Sequence, residues 1–170
     1  MQIEFAGGLR STQTISCAGG VLQTDSYVDM SRGSSISVRT ISSSGEYLPR
    51  NVEIGSTWTQ TFNLEIRPNI GGGSTDGIPT MHAQTTLTHE ALRTESVTVP
   101  AGTYNAIVVK TKIQTNIDAP GTTTPAPAPL PSIELVSFGW WVRGVGLVKS
   151  ETNMGGGLRA TSEAETVVVP

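Results

Sequence analysis

Between Thr57 and Ile66 the chain alternates strictly between two kinds of side chain. Trp58, Phe62, Leu64 and Ile66 fall on one side together with Gln60, while Thr57, Thr59, Thr61, Asn63 and Glu65 fall on the other. A period of two excludes an amphipathic helix, whose apolar positions recur every three or four residues. It specifies a strand with one dry and one wet face. The same signal returns from Asn105 to Ile117. There Ile107, Val109, Ile113 and Ile117, with Thr111 and Thr115, oppose Lys110, Lys112, Gln114 and Asn116. Met81, Ala83, Thr85, Leu87 and Ala91 make a weaker third case. Shorter candidates are Val21–Met30, Ile36–Ile41, Ile133–Val142, Val145–Glu151 and the two terminal runs, Gln2–Phe5 and Thr166–Val169. The one helix-like stretch, His89 to Glu95, spans about two turns between β-formers and is read as strand, or at most a single turn.

Punctuation agrees with strands. Val97-Thr98-Val99 runs into Pro100-Ala101-Gly102, and Thr103-Tyr104 opens the next alternating run. Proline presets φ for the first corner, and Gly102 can take the left-handed position that closes a three-residue hairpin with a bulge. Glycine-rich breaks at Asn69–Gly77 and Asn153–Gly157 predict longer loops. The proline tract ending at Pro131 lacks the donors a ladder needs, so a Pro/Thr-rich loop is expected at about 119–132. With 170 residues the chain suits one all-β domain, 1–170, with little or no helix.

Composition narrows the function classes. Eleven basic and fourteen acidic residues give a net charge of -3, which supplies no reason to expect a nucleic-acid partner. Only three basic residues are lysine, and Ser and Thr together number 40. This is the make-up of a hydroxyl-coated β protein. A single cysteine, Cys17, rules out an intramolecular disulfide framework and a thiolate-built metal site. No run of 18 apolar residues is present, so no transmembrane helix is expected. The opening residues lack a basic region followed by an apolar stretch, and the segment before Cys17 is too polar to be a lipidation signal. A signal or lipid anchor is therefore expected to be absent from this chain, although its localisation reads as extracytoplasmic.

A search for chemistry returns scaffold more than machinery. There is no nucleophile elbow and no phosphate loop, and His89-Glu90 lacks the second histidine of a zinc-protease helix. His82 and His89, seven apart, point to opposite faces of a continuous strand. His82 is read as solvated, and His89 as partly buried and hydrogen-bonded. Asp25 and Asp29 share a strand face but stand about 13 Å apart, too far for a pair of glycosidase carboxylates. The expectations are no enzyme, no catalytic residues, no metal and no cofactor. Trp58 lies on an apolar face. Adjacent Trp140 and Trp141 must point to opposite sides of their strand, so one fills a core and the other lies on the second face or rim.

Several blocks resemble a known family. Ser16–Leu22, Leu48–Trp58, Glu95–Tyr104 and Trp141–Glu151, in this order across about residues 10–152, are similar to uncharacterised bacterial exported lipoproteins. The Val97–Tyr104 and Gly144–Glu151 blocks are the most specific. The resemblance implies a single, strongly curved antiparallel sheet, a half-barrel or open barrel similar to lipoprotein carriers of the LolA/LolB kind. It implies no catalytic residues.

Two readings follow. In the first, an apolar concave face holds an apolar or lipid-like small molecule, with Trp58, Phe62, Leu64, Ile107, Val109, Trp140 and Trp141 as ligand-binding residues. In the second, the chain is a structural cell-surface or filament subunit that forms homo-oligomers through edge strands, with Thr166–Val169 as the pairing strand. A carbohydrate-binding module is a weaker third.

Overall fold

In the computed structural model of the chain, the described residues are 2–4, 10–18, 21–29, 36–68, 80–118, 133–155 and 157–167. They contain ten strands and no helix. Strands β1 (Gln2–Glu4), β2 (Arg10–Ala18) and β3 (Val21–Asp29) form a three-stranded antiparallel sheet. The others are β4 (Ile36–Gly45), β5 (Thr57–Pro68), β6 (Met81–Val99), β7 (Gly102–Asp118), β8 (Ile133–Val142), β9 (Gly146–Gly155) and β10 (Leu158–Glu163). They form one open seven-stranded antiparallel sheet, in the order β10-β9-β8-β7-β6-β5-β4. The all-β class read from the periodicity is the class observed. Among the described residues no helix is long and apolar enough to cross a membrane.

His89–Glu95 is strand throughout, inside the 19-residue β6. The hairpin after Val99 is tighter than expected. Only Pro100 and Ala101 separate β6 from β7, and Gly102 takes a φ of 136°. The Tyr104 hydroxyl donates to the Ala101 carbonyl at 2.9 Å and closes the turn from below. Asn153 is not in a loop, since β9 continues to Gly155 and β10 begins at Leu158. Thr166 and Val167 lie outside any strand, against the expectation of a terminal strand. Val168–Pro170, the break at Asn69–Gly77 and the tract at 119–132 lie outside the described residues.

The chain divides into two compact units. One comprises Met1–Arg50, Gln60–Thr86 and Thr115–Ile133; the other comprises Asn51–Thr59, Leu87–Gln114 and Glu134–Pro170. The core of the second unit is Val97, Val99, Ala106, Val108, Trp140 and Val148. The Ala164 backbone closes over this core, donating to the Val148 carbonyl and accepting from the Ala101 amide.

One register feature decides which side chains meet in this unit. Thr98 bonds to Thr103, and His89 bonds to Thr111, each at 2.9 Å. From the first pair to the second, β6 advances nine residues and β7 advances eight. Strand β6 therefore holds one extra residue between His89 and Thr98. Because strand side chains alternate, an odd insertion moves every following residue of the strand to the other face. Val97 and Val99 thus share a face with Ala106 and Val108, while His89 shares the opposite face with Val109 and Thr111. Val108 and Val109, adjacent and both buried, cover opposite sides of the sheet at this level. The single dry face read from Ile107 and Val109 is here accompanied by a second one.

Candidate functional site

The candidate site is the side of the second unit that carries His89. The imidazole is 4 % exposed. Its Nδ1 lies 2.9 Å from the Thr111 hydroxyl, and its ring stacks on Trp58 with centroids 5.1 Å apart and planes 16° from parallel. Burial lowers its pKa from 6.5 to about 4, so the ring is neutral at physiological pH. A neutral imidazole has one donor and one acceptor nitrogen. Nδ1 is occupied, and Nε2 is buried with no hydrogen-bond partner. A backbone clasp positions the pair: the Gly55 amide donates to the Ala91 carbonyl at 2.7 Å, and the Ala91 amide donates to the Ser56 carbonyl at 2.9 Å. It ties the segment leading into Trp58 to the strand that carries His89.

The first unit has a counterpart. Gln60, 1 % exposed, stands on the dry face of β5 beside Phe62 and Leu64, and neither Nε2 nor Oε1 of its amide finds a partner. An amide within an apolar stripe was visible in the sequence as the one discordant residue of that face.

The sequence-predicted residues separate into groups. Phe62 (0 % exposed) and Leu64 lie in the first unit, fully packed. Trp58, Ile107, Val109, Trp140 and Trp141 lie in the second. Within it, Ile107 and Val109 share the His89 side, whereas Trp140 belongs to the opposite core with Ala106 and Val108. Trp140 and Trp141 do face opposite ways. The Trp140 Nε1–H donates to Glu95 Oε1 at 2.6 Å, and the Lys149 ammonium lies 5.2 Å from the centre of its ring. Lys149 is paired in turn with Glu151 at 3.1 Å and Glu163 at 3.4 Å, and Arg159 reaches Glu151 at 3.2 Å. The bond from Trp140, followed by that from Arg93, holds the Glu95 carboxyl below the usual range. The Glu151 bond raises Lys149. Trp140 is thus a core residue beneath a salt-bridged cover. Trp141 lies against Gly139, where a Cβ would come within 2.9 Å of its Nε1. His82 is exposed, as read from the sequence, whereas His89 is more deeply buried than read. The side chains of Cys17, Asp25 and Asp29 lie outside the described residues.

Sequence reasoning missed the pairing of His89 with Thr111, because only the β6–β7 register brings them opposite each other. It also missed a shallow depression in the first unit, of about 370 Å³, lined by Ile41, Leu64 and Ala83 together with polar side chains of the wet face.

These features define an open-sheet β domain with unsatisfied polar atoms in its interior. The chain belongs to the DUF3108-like family, whose model matches residues 9–163. It is similar to a solved structure from Bacteroides fragilis, a "putative exported protein with YmcC-like fold". Identity there is 14 %, 94 % of this chain and 87 % of that chain are covered, and the TM-score is 0.44. No curated protein matches the chain.

Proposed function

We propose that the chain is an extracytoplasmic, non-catalytic binding domain whose ligand is a largely apolar molecule bearing a hydroxyl group, received by His89. The observation that carries this reading is the buried, unpartnered Nε2 beside the Trp58 ring. An unsatisfied buried polar atom costs about 1–3 kcal/mol, which a ligand hydrogen bond would recover. If Nδ1 donates to Thr111, Nε2 is an acceptor; if Thr111 donates, Nε2 is a donor. A hydroxyl both donates and accepts, so it satisfies either tautomer. Trp58, Ile107 and Val109 supply apolar contact on the same side.

Two further points support the reading. The Lys-poor, hydroxyl-rich composition suits an exported surface, and the sequence blocks resemble exported lipoproteins, whose implied sheet is similar in architecture to lipoprotein carriers. Native mass spectrometry of protein purified gently from a bacterial host tests it. A monomer with an adduct on the order of a few hundred daltons, lost on denaturation and absent from His89→Leu, is the expected result. A bare monomer overturns the reading. A ladder of dimers and larger species without adduct would replace it with assembly through strand edges.

A further inference from the structure

The wet face of the first unit carries a depression chemically unlike the His89 side of the second. Strand β4 has an irregularity of its own: Thr40 pairs with Leu64 and Ser42 with Asn63, so Ile41 is an extra residue in the ladder. A bulge re-aims a side chain, and bulges recur beside binding sites. Here it leaves Ile41 53 % exposed, as an apolar wall of the 370 Å³ depression. Leu64 and Ala83, both buried, add to the apolar lining, and the polar part comes from the next three strands: Asn63 on β5, His82 and Gln84 on β6, Asn116 and Asp118 on β7. All five are exposed.

Asn63 is fixed from both sides. Its Nδ2 donates to the Ser42 hydroxyl at 2.9 Å, and its Oδ1 accepts from the Gln84 Nε2 at 3.4 Å. That ladder orients the Gln84 amide and leaves its Oε1 and one hydrogen for a ligand. The depression thus offers oriented amides, a carboxylate and an aliphatic wall, within the size range of small-molecule pockets, roughly 300–1,000 Å³. No lysine or arginine lines it. With Asp118 as the one carboxylate and no fixed cation, the charge disfavours phosphate, sulfate and carboxylate ligands.

We propose that this depression binds a neutral hydroxylated ring, a pyranose. Asn116, Gln84 and Asp118 meet the hydroxyls, and Ile41 covers the C–H face of the ring. Adjacent sugar hydroxyls pair with a carboxylate that accepts through both oxygens and with amides that donate and accept.

The test is a titration of the full, isotope-labelled chain with methyl β-glucopyranoside and its galacto and manno isomers, read from the side-chain amide signals of Asn63, Gln84 and Asn116. Saturable shifts at these groups, with dissociation constants on the order of millimolar, are expected for at least one isomer. Asn116→Ala should weaken binding about tenfold, and Arg159→Ala, at an exposed side chain of the second unit, should leave it unchanged. Asp118→Asn, at an exposed side chain, should weaken the neutral sugar and relax exclusion of the corresponding sugar phosphate. Absence of saturable shifts with all three glycosides overturns the proposal. So does binding that survives Asn116→Ala, is lost in Arg159→Ala, or favours the sugar phosphate in the unmutated chain.

Discussion

Trp58 and His89 lie face to face, 5.1 Å between ring centres, and the imidazole they bury together is held uncharged. Burial sets this charge state: a protonated ring at this depth would lose its hydration, so the neutral form is favoured.

Acid should therefore loosen the fold before most carboxylates titrate. His89 binds its proton with a pKa of 6.5 in the unfolded chain and about 4 in the folded one. Its neutral form favours folding, so its contribution is complete above about pH 6.5 and falls away as pH drops toward about 4. The full difference is about 3 kcal/mol. Urea unfolding at a series of pH values should show this slope in the unmutated chain and a flatter one in His89→Gln. Equal slopes would mean that the ring is not buried uncharged.

Replacing Trp140 by Phe keeps most of the packing of the second core and removes the indole N–H that bonds Glu95. The expected loss is about 1–2 kcal/mol in denaturant unfolding. The Glu95 pKa, followed by NMR, should rise toward its ordinary value. Trp140→Ala, which also opens a cavity, should cost about 3–5 kcal/mol.

At Gly139 the limit is space. A methyl group there would meet the Trp141 Nε1 at 2.9 Å and the Leu147 Cδ1 at 3.1 Å. Gly139→Ala should destabilise by about 1–3 kcal/mol. In combination with Trp141→Ala the penalty should shrink, and a double-mutant cycle reads that coupling directly. Strict additivity would show that the indole does not lie over the glycine.

The Tyr104 hydroxyl tests the hairpin. Tyr104→Phe removes its 2.9 Å bond to the Ala101 carbonyl and should cost about 1 kcal/mol. Gly102→Ala, at φ 136°, should cost more, since an alanine there strains the backbone. Thermal unfolding of both variants gives the order; the reverse order would locate the strain elsewhere.

Most of the sheet was legible because its central strands carry long stretches of period-two alternation. Trp58, Phe62 and Leu64 against Thr57, Thr59 and Thr61 leave no other reading, and β8 has the bounds expected from its apolar run. Strands β2 and β10 were missed for the complementary reason. Arg10–Ala18 and Leu158–Glu163 are mostly polar, and the described residues 159–163 of β10 are all exposed, so pairing leaves no apolar period behind. The site was less legible than the fold. Gln60 announces itself as an amide in an apolar stripe, but nothing local to His89 reveals that Thr111 faces it. That depends on pairing across 22 positions and on the extra residue in β6. Ile41 was read as the end of a strand, whereas its role as a wall follows from a slip against a partner strand.

The unequal lengths of β6 and β7 between their two threonine and histidine pairs also restrict how this hairpin can change length. Inserting or deleting two residues would preserve which side chains are wet. A change of one would exchange inside for outside along the rest of the strand, turning Val97 and Val99 to solvent or exposing His89. Length variation here is admissible only in even steps, unless β7 changes with it.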